Sequence, residues 1–245
     1  MAFLEKEKKM EKYADIARMI DHSLLHPTLT DEDLRAGCEL ARKLGVASVC
    51  IKPYAVRMAA EILKGSSVAV GTVVGFPHGN STVSIKVSEA EQACKAGAVE
   101  LDMVVNIGKV LSEDWAYIEN EIKAVMNITK KYKAILKVIF ENDFLPDDGY
   151  KIRLCEICSS LNVDFVKTST GYGFVKGEDG KYSYHGSTDH DLLLMREHSK
   201  LTVQVKAAGG IRTLADVIRV RRLGVMRIGA SATQAILMEA KKMLG

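Results

Sequence analysis

A single (β/α)8 barrel is the fold that this sequence predicts, and three observations predict it. A short run rich in Val and Ile followed by a helical stretch recurs about eight times. Alternation at that spacing argues for parallel strands joined by crossover helices. The 245 residues run without a linker or a break in composition, which suits one such barrel. No G-x-G-x-x-G follows an early strand, as an open doubly wound sheet, the rival architecture, would be expected to show.

A short N-terminal helix precedes a first strand at "MIDHSLL". "TDEDLRAGCELARKLG" reads as a helix, with Thr30 to cap it, acids in its first turn and Gly45 to close it. "ASVCIKP" is the next strand and "YAVRMAAEILK" the next helix. Further strands are "VAVGTVVGF", "VELDMVV", "AILKVIF", "VDFVKTS", "VQVKAAG" and "VMRIGA", separated by helical patterns. One of these, "SEDWAYIENEIK", leaves Trp115 half buried. The expectation is one barrel domain over residues 1–245, with the extra helix at its start. One stretch departs from the rhythm. "GFVKGEDGKYSYHG", residues 173–186, has a polar, glycine-containing centre flanked by Val and Tyr, and suggests a hairpin inserted after strand six. It would rise from the catalytic face, with Tyr182 and Tyr184 on one side of an extended arm.

The bulk numbers narrow the function. A net charge of +3 is too small to argue for nucleic acid, and the dense run "EKEKKMEK" mixes both signs, as a solvated helix end does. No apolar run reaches membrane-spanning length, so no membrane partner is expected. The five cysteines are odd in number and sit mostly inside helices or strands, which suggests free thiols in a reducing, cytoplasmic setting. "CEIC" at Cys155 and Cys158 has redox or zinc spacing but no second pair, and reads as helix packing. His22, His26 and His78 lack metal spacing. Neither a metal nor a cofactor is expected.

Four polar residues stand late in apolar strands: Asp102, Lys137, Lys167 and Lys206, on strands four to seven. If all point inward, they crowd one mouth of the barrel, where such folds carry their active sites. A single lysine at a strand end is usually a snorkelling surface residue. Three with an aspartate on neighbouring strands are harder to set aside. Glu100, two residues before Asp102, would neutralise one of them, and Lys137 is nearest to that structural role. Desolvation and a neighbouring ammonium both lower a lysine pKa, from about 10.4 toward roughly 7–8 where a free amine exists. Such an amine forms a Schiff base with a carbonyl, and a nearby carboxylate can shuttle protons. The residues alone do not rank the three lysines.

Together, "FVKTSTGYG", "VKAAGGIR", "LDMVVNIG", "TVVGFPHG" and "RIGAS" resemble the deoxyribose-phosphate aldolase family, over nearly the whole chain. The resemblance implies a metal-independent class I aldolase on a (β/α)8 barrel. It implies reversible cleavage of 2-deoxy-D-ribose 5-phosphate to glyceraldehyde 3-phosphate and acetaldehyde, and a homodimer or homotetramer. By matched motif, Lys167 is the Schiff-base lysine, Lys206 the lysine that tunes it and Asp102 the proton-relay acid. Gly171, Gly209, Gly210 and Ser231 match the phosphate site, in keeping with three glycine-bearing loops after late strands. Asp21, Ser23, Cys50, Lys137, Thr168 and Thr170 would line the substrate. The family often has two consecutive serines where this chain has Ser231 and Ala232, so either one hydroxyl donor is missing and phosphate binding is weakened, or Thr233 substitutes for it. Two rival readings share these residues: a Schiff-base aldolase with another aldehyde acceptor, and a non-catalytic sugar-phosphate binder.

Overall fold

The strands fall where runs of β-branched residues are bounded by glycine, proline or polar residues. A computed structural model describes residues 12–244. It contains β1 (Ile20–Leu24), β2 (Ser48–Ile51), β3 (Ala69–Val74), β4 (Glu100–Val104), β5 (Ile135–Ile139) and β6 (Phe165–Lys167), then β7 (Val175–Lys176), β8 (Tyr182–Ser183), β9 (Gln204–Ala208) and β10 (Val225–Ala230). Eight of them close into a parallel barrel in the order β1-β10-β9-β6-β5-β4-β3-β2, the (β/α)8 fold expected. The "EKEKKMEK" run lies outside the described residues, save its last position.

The helices are α1 (Tyr13–Ala17), α2 (Asp31–Leu44), α3 (Val56–Ile62), α4 (Val83–Ala96), α5 (Ile107–Leu111), α6 (Trp115–Tyr132), α7 (Asp148–Leu161), α8 (Asp189–Glu197), α9 (Leu214–Arg222) and α10 (Thr233–Leu244). Thr30 and Asp33 form a reciprocal capping box at the start of α2, and Gly45 ends it in the left-handed region at φ 66°. Val49, Leu101, Met103, Leu136, Val138, Val166 and Val205 join helix residues such as Leu34, Ile118 and Ile122 in one apolar layer between sheet and helices. Each buried side chain of this kind contributes about 1.5–3 kcal/mol. That layer is the hydrophobic core. The lumen inside the strands holds charges instead.

β7 and β8 pair antiparallel, Val175 opposite Ser183 and Lys176 opposite Tyr182, so a small ribbon stands between β6 and α8. The two tyrosines do not share a face. Tyr182 is 66% exposed, whereas Tyr184 lines the cleft at the barrel mouth. The second arm ends at Ser183, so Tyr184 lies past the pleat and strand alternation no longer governs where it points.

Candidate active site

Inside the barrel, side chains from six strands meet in one ionic network. Lys137 Nζ on β5 donates to Glu100 Oε2 on β4 at 2.5 Å and to Asp21 Oδ2 on β1 at 2.9 Å, and lies 3.1 Å from Asp102 Oδ1. Lys167 Nζ on β6 and Lys206 Nζ on β9 each donate to Asp102 Oδ2 at 2.7 Å. Lys206 Nζ is also 2.5 Å from Asp21 Oδ2. Arg227 on β10 completes the set, reaching Asp21 Oδ1 through Nε at 2.7 Å and Glu100 Oε2 at 2.8 Å. The register explains the convergence: Lys137 is opposite Asp102, and Lys167 opposite Lys206. All but Arg227 are buried, and Arg227 nearly so. Buried charges persist only when paired this closely.

The network holds four cations, Lys137, Lys167, Lys206 and Arg227, against three carboxylates, Asp21, Glu100 and Asp102. It is neutral when one cation gives up its proton. Burial presses on all three lysines, and its effect wins only at Lys167, whose pKa is lowered with help from the Lys206 ammonium and against Asp102. At Lys206 the carboxylates Asp102 and Asp21 overcome burial and raise the pKa. At Lys137 they do so strongly, joined by Glu100. Asp102 is held well below the usual carboxylate range: burial opposes its ionisation, but Lys137, Lys167 and Lys206 prevail. Lys167 is therefore the amine of the network poised to be neutral.

Above this floor lies a cleft of about 360 Å³. Its walls include Lys167, Lys206, Asp21, Ser23, Cys50, Thr170, Gly171, Gly209, Gly210 and Ser231. Burial pushes the Cys50 thiol up to about 11, so it presents a small apolar surface. Three expected site residues are not on the wall. Asp102 lies beneath it, between the lysines. Lys137 is held deeper, by Glu100 and Asp21. Thr168 does not line the cleft: its Oγ1 donates to Ala208 O at 3.2 Å and accepts from Ala208 N at 3.1 Å, stitching the end of β6 to β9. Thr233 also fails as a replacement hydroxyl. It is fully buried, donates to Ala230 O at 3.2 Å and shares a 2.8 Å hydrogen bond with His22 Nδ1.

Two residues that hold the site together escape the sequence reading. Arg227 is one, set in a strand run whose neighbour Met226 is exposed. Glu141 is the other. It stands two residues past β5, with φ 60°, a conformation that non-glycine residues seldom adopt and that concentrates at functional sites. Its Oε1 accepts from Thr170 N at 3.0 Å and its Oε2 from the Thr170 hydroxyl, so it fixes the loop that follows Lys167. Gly209 and Gly210, at φ 91° and 83°, need glycine to turn the β9–α9 loop. Among the described residues the amides of Gly171 and Gly210 donate to no loop carbonyl and no side chain. Such amides around a cleft suit an anion.

Asp148, His190 and Asp191 converge elsewhere with metal-like spacing. Lys151 Nζ already sits between the two carboxylates, 3.0 Å from Asp148 and 2.7 Å from Asp191, and fills the cationic place. Cys155 and Cys158 are buried free thiols in α7, and burial pushes Cys155 up to about 12.

A family model described as DeoC/LacD family aldolase matches residues 16–237. A deoxyribose-phosphate aldolase of Rhodopirellula baltica is 53% identical over 234 residues, covering 96% of this chain and 92% of the relative. One from Caldanaerobacter subterraneus is 44% identical, covering 96% and 97%. Among solved structures, the tetrameric deoxyribose phosphate aldolase of Aeropyrum pernix superposes with a TM-score of 0.83 at 29% identity, covering 95% of this chain and 93% of that one.

Proposed function

The chain belongs to the DeoC/LacD family of aldolases, and from that premise we propose that it cleaves 2-deoxy-D-ribose 5-phosphate reversibly to glyceraldehyde 3-phosphate and acetaldehyde. The observation that carries this reading is Lys167, buried at the floor of a glycine-rimmed cleft with its Nζ 2.7 Å from Asp102 Oδ2, the oxygen it shares with the second lysine, Lys206. The neutral amine attacks the substrate aldehyde. The carbinolamine loses water to give a protonated imine, which withdraws electrons from the adjacent carbon–carbon bond. Release of the hydroxyl proton beyond that bond breaks it, giving glyceraldehyde 3-phosphate and an enamine on Lys167. Protonation of the enamine carbon and hydrolysis release acetaldehyde and restore the amine.

Asp102 contacts both lysines through one oxygen and is the group placed to pass protons between amine, water and enamine carbon. Lys206 stays cationic and keeps Lys167 from doing so. Asp21 holds Lys206 and Arg227 from the far side. The phosphate would lie against the amides of Gly171, Gly209 and Gly210, with Ser231 beside them.

The five cysteines are all buried free thiols, which supports a reducing, cytoplasmic setting. No helix among the described residues is long and apolar enough to cross a membrane. A homodimer or homotetramer is proposed on the tetrameric Aeropyrum pernix relative. Borohydride reduction in the presence of 2-deoxyribose 5-phosphate, followed by peptide mapping, tests the central claim. The expected result is a two-carbon adduct on Lys167. Label on Lys137 or Lys206, or no label, would sink it.

A further inference from the structure

Just past the ribbon of β7 and β8 stands a polar atom with nothing to bond. Tyr184 Oη is buried and makes no hydrogen bond among the described residues. It sits between two of the loops that rim the cleft. A methyl group placed on Gly209 would overlap the Tyr184 oxygen, and one on Gly171 would come within 4.0 Å of it. The position is built. Phe174 packs against the ring at a centroid distance of 5.4 Å. Asp143 Oδ1 accepts from His185 N at 2.6 Å and Asp143 Oδ2 from Gly186 N at 3.0 Å, just past the tyrosine. Ser187 Oγ then donates to Gly209 O at 2.7 Å, so the chain on the far side of Tyr184 is tied to the loop it covers.

A buried hydroxyl without a partner is costly unless a ligand supplies one. The β10–α10 loop offers a single side-chain hydroxyl to the cleft, from Ser231. The next residue is Ala232, and the hydroxyl of Thr233 is committed to His22 and Ala230. We propose that Tyr184 is a specificity-determining residue whose hydroxyl donates to the phosphate group of the substrate, alongside Ser231. The proposal rests on the aldolase reading above. Burial and the nearby Glu141 and Asp143 raise the phenol pKa, so the group remains a donor throughout the working range. The ribbon thereby serves as a sensor for the phosphorylated end of the sugar.

Tyr184→Phe keeps the ring and removes only the hydroxyl. Because that hydroxyl bonds nothing in the protein, the melting temperature should not fall. The kcat/KM for 2-deoxyribose 5-phosphate should drop roughly 10- to 100-fold, mainly through KM, as expected for a hydrogen bond to a charged group. The kcat/KM for unphosphorylated 2-deoxyribose should change less than about twofold, so the preference for phosphate narrows by the same factor. Inorganic phosphate, titrated calorimetrically against both proteins, should bind the variant more weakly. The proposal is overturned by equal losses on both sugars, by an unchanged preference, by unchanged phosphate binding, or by a gain on the phosphorylated sugar, which would mean that the ring blocks the anion. If the wild type cleaves neither sugar, the aldolase reading fails; weaker phosphate binding by the variant would then still support the contact.

Discussion

Lys167 and Lys206 are alike in burial and share a carboxylate oxygen, yet their pKa values move in opposite directions. The difference is Asp21, which holds Lys206 and not Lys167. Removing the Lys206 charge leaves three cations facing three carboxylates, so Lys167 is driven to keep its proton. In Lys206→Leu the rate of imine formation should therefore rise only at higher pH than in the wild type, with turnover at neutral pH reduced roughly 100-fold or more. Borohydride trapping of acetaldehyde across pH 6–10 measures it; an unshifted profile with only a raised KM would assign Lys206 to binding. The lysines and Asp102 were legible in the sequence because a charge inside a Val/Ile run conflicts with its surroundings. Arg227 was less so, since its strand already carries exposed positions. Glu141 gave no signal at all. It lies one residue past the apolar run, and its left-handed backbone is a tertiary outcome that no local pattern encodes.

At the level of elements, the strand count and order followed from period and spacing, while the supports behind the site did not. Lys86 on α4 is fully buried, donating to Glu121 Oε1 on α6 at 2.6 Å and to Val104 O, at the end of β4, at 2.7 Å. Glu121 in turn accepts from Asn106 N at 2.9 Å. This pair anchors two helices to the strand that carries Asp102. Lysine and glutamate on separate amphipathic helices look like solvated residues, and only the packing of α4 on α6 brings them together. Breaking the pair strands a buried charge. Lys86→Met should cost about 3–5 kcal/mol in unfolding free energy, and the double substitution Lys86→Met/Glu121→Leu much less. Urea denaturation of the wild type, both single variants and the double decides it; additive losses would show that the two side chains do not act as a pair. The ribbon gives the opposite lesson. Its turn residues were readable, but the inward turn of Tyr184 depends on Asp143 and Gly209, far away in sequence.

Over the whole molecule, the barrel closes where β1 meets β10, and His22 sits at that seam, bonded to Thr233. Burial lowers its pKa to about 4. The unfolded chain takes up this proton near pH 6.5, the folded chain only near 4. Stability from this site is thus complete above pH 6.5 and lost as the pH falls to 4, by about 3 kcal/mol. The depressed carboxylates Asp21 and Asp102 act in the same direction at lower pH. Comparing the wild type with His22→Gln from pH 7 to 4 isolates the histidine; parallel curves would refute the assignment.

The same seam has a bearing on how the chain folds. Asp21 and Arg227 are 206 positions apart, and they meet only after the last strand has docked beside the first. Until then the lumen of any half-built barrel would enclose ammonium and carboxylate groups whose partners have not arrived. Each such intermediate carries an electrostatic penalty that vanishes at closure. The pairing that leaves Lys167 as the amine poised to be neutral is therefore complete only once β1 and β10 have met, and the proposed catalytic amine is expected only in a chain that has folded to its end.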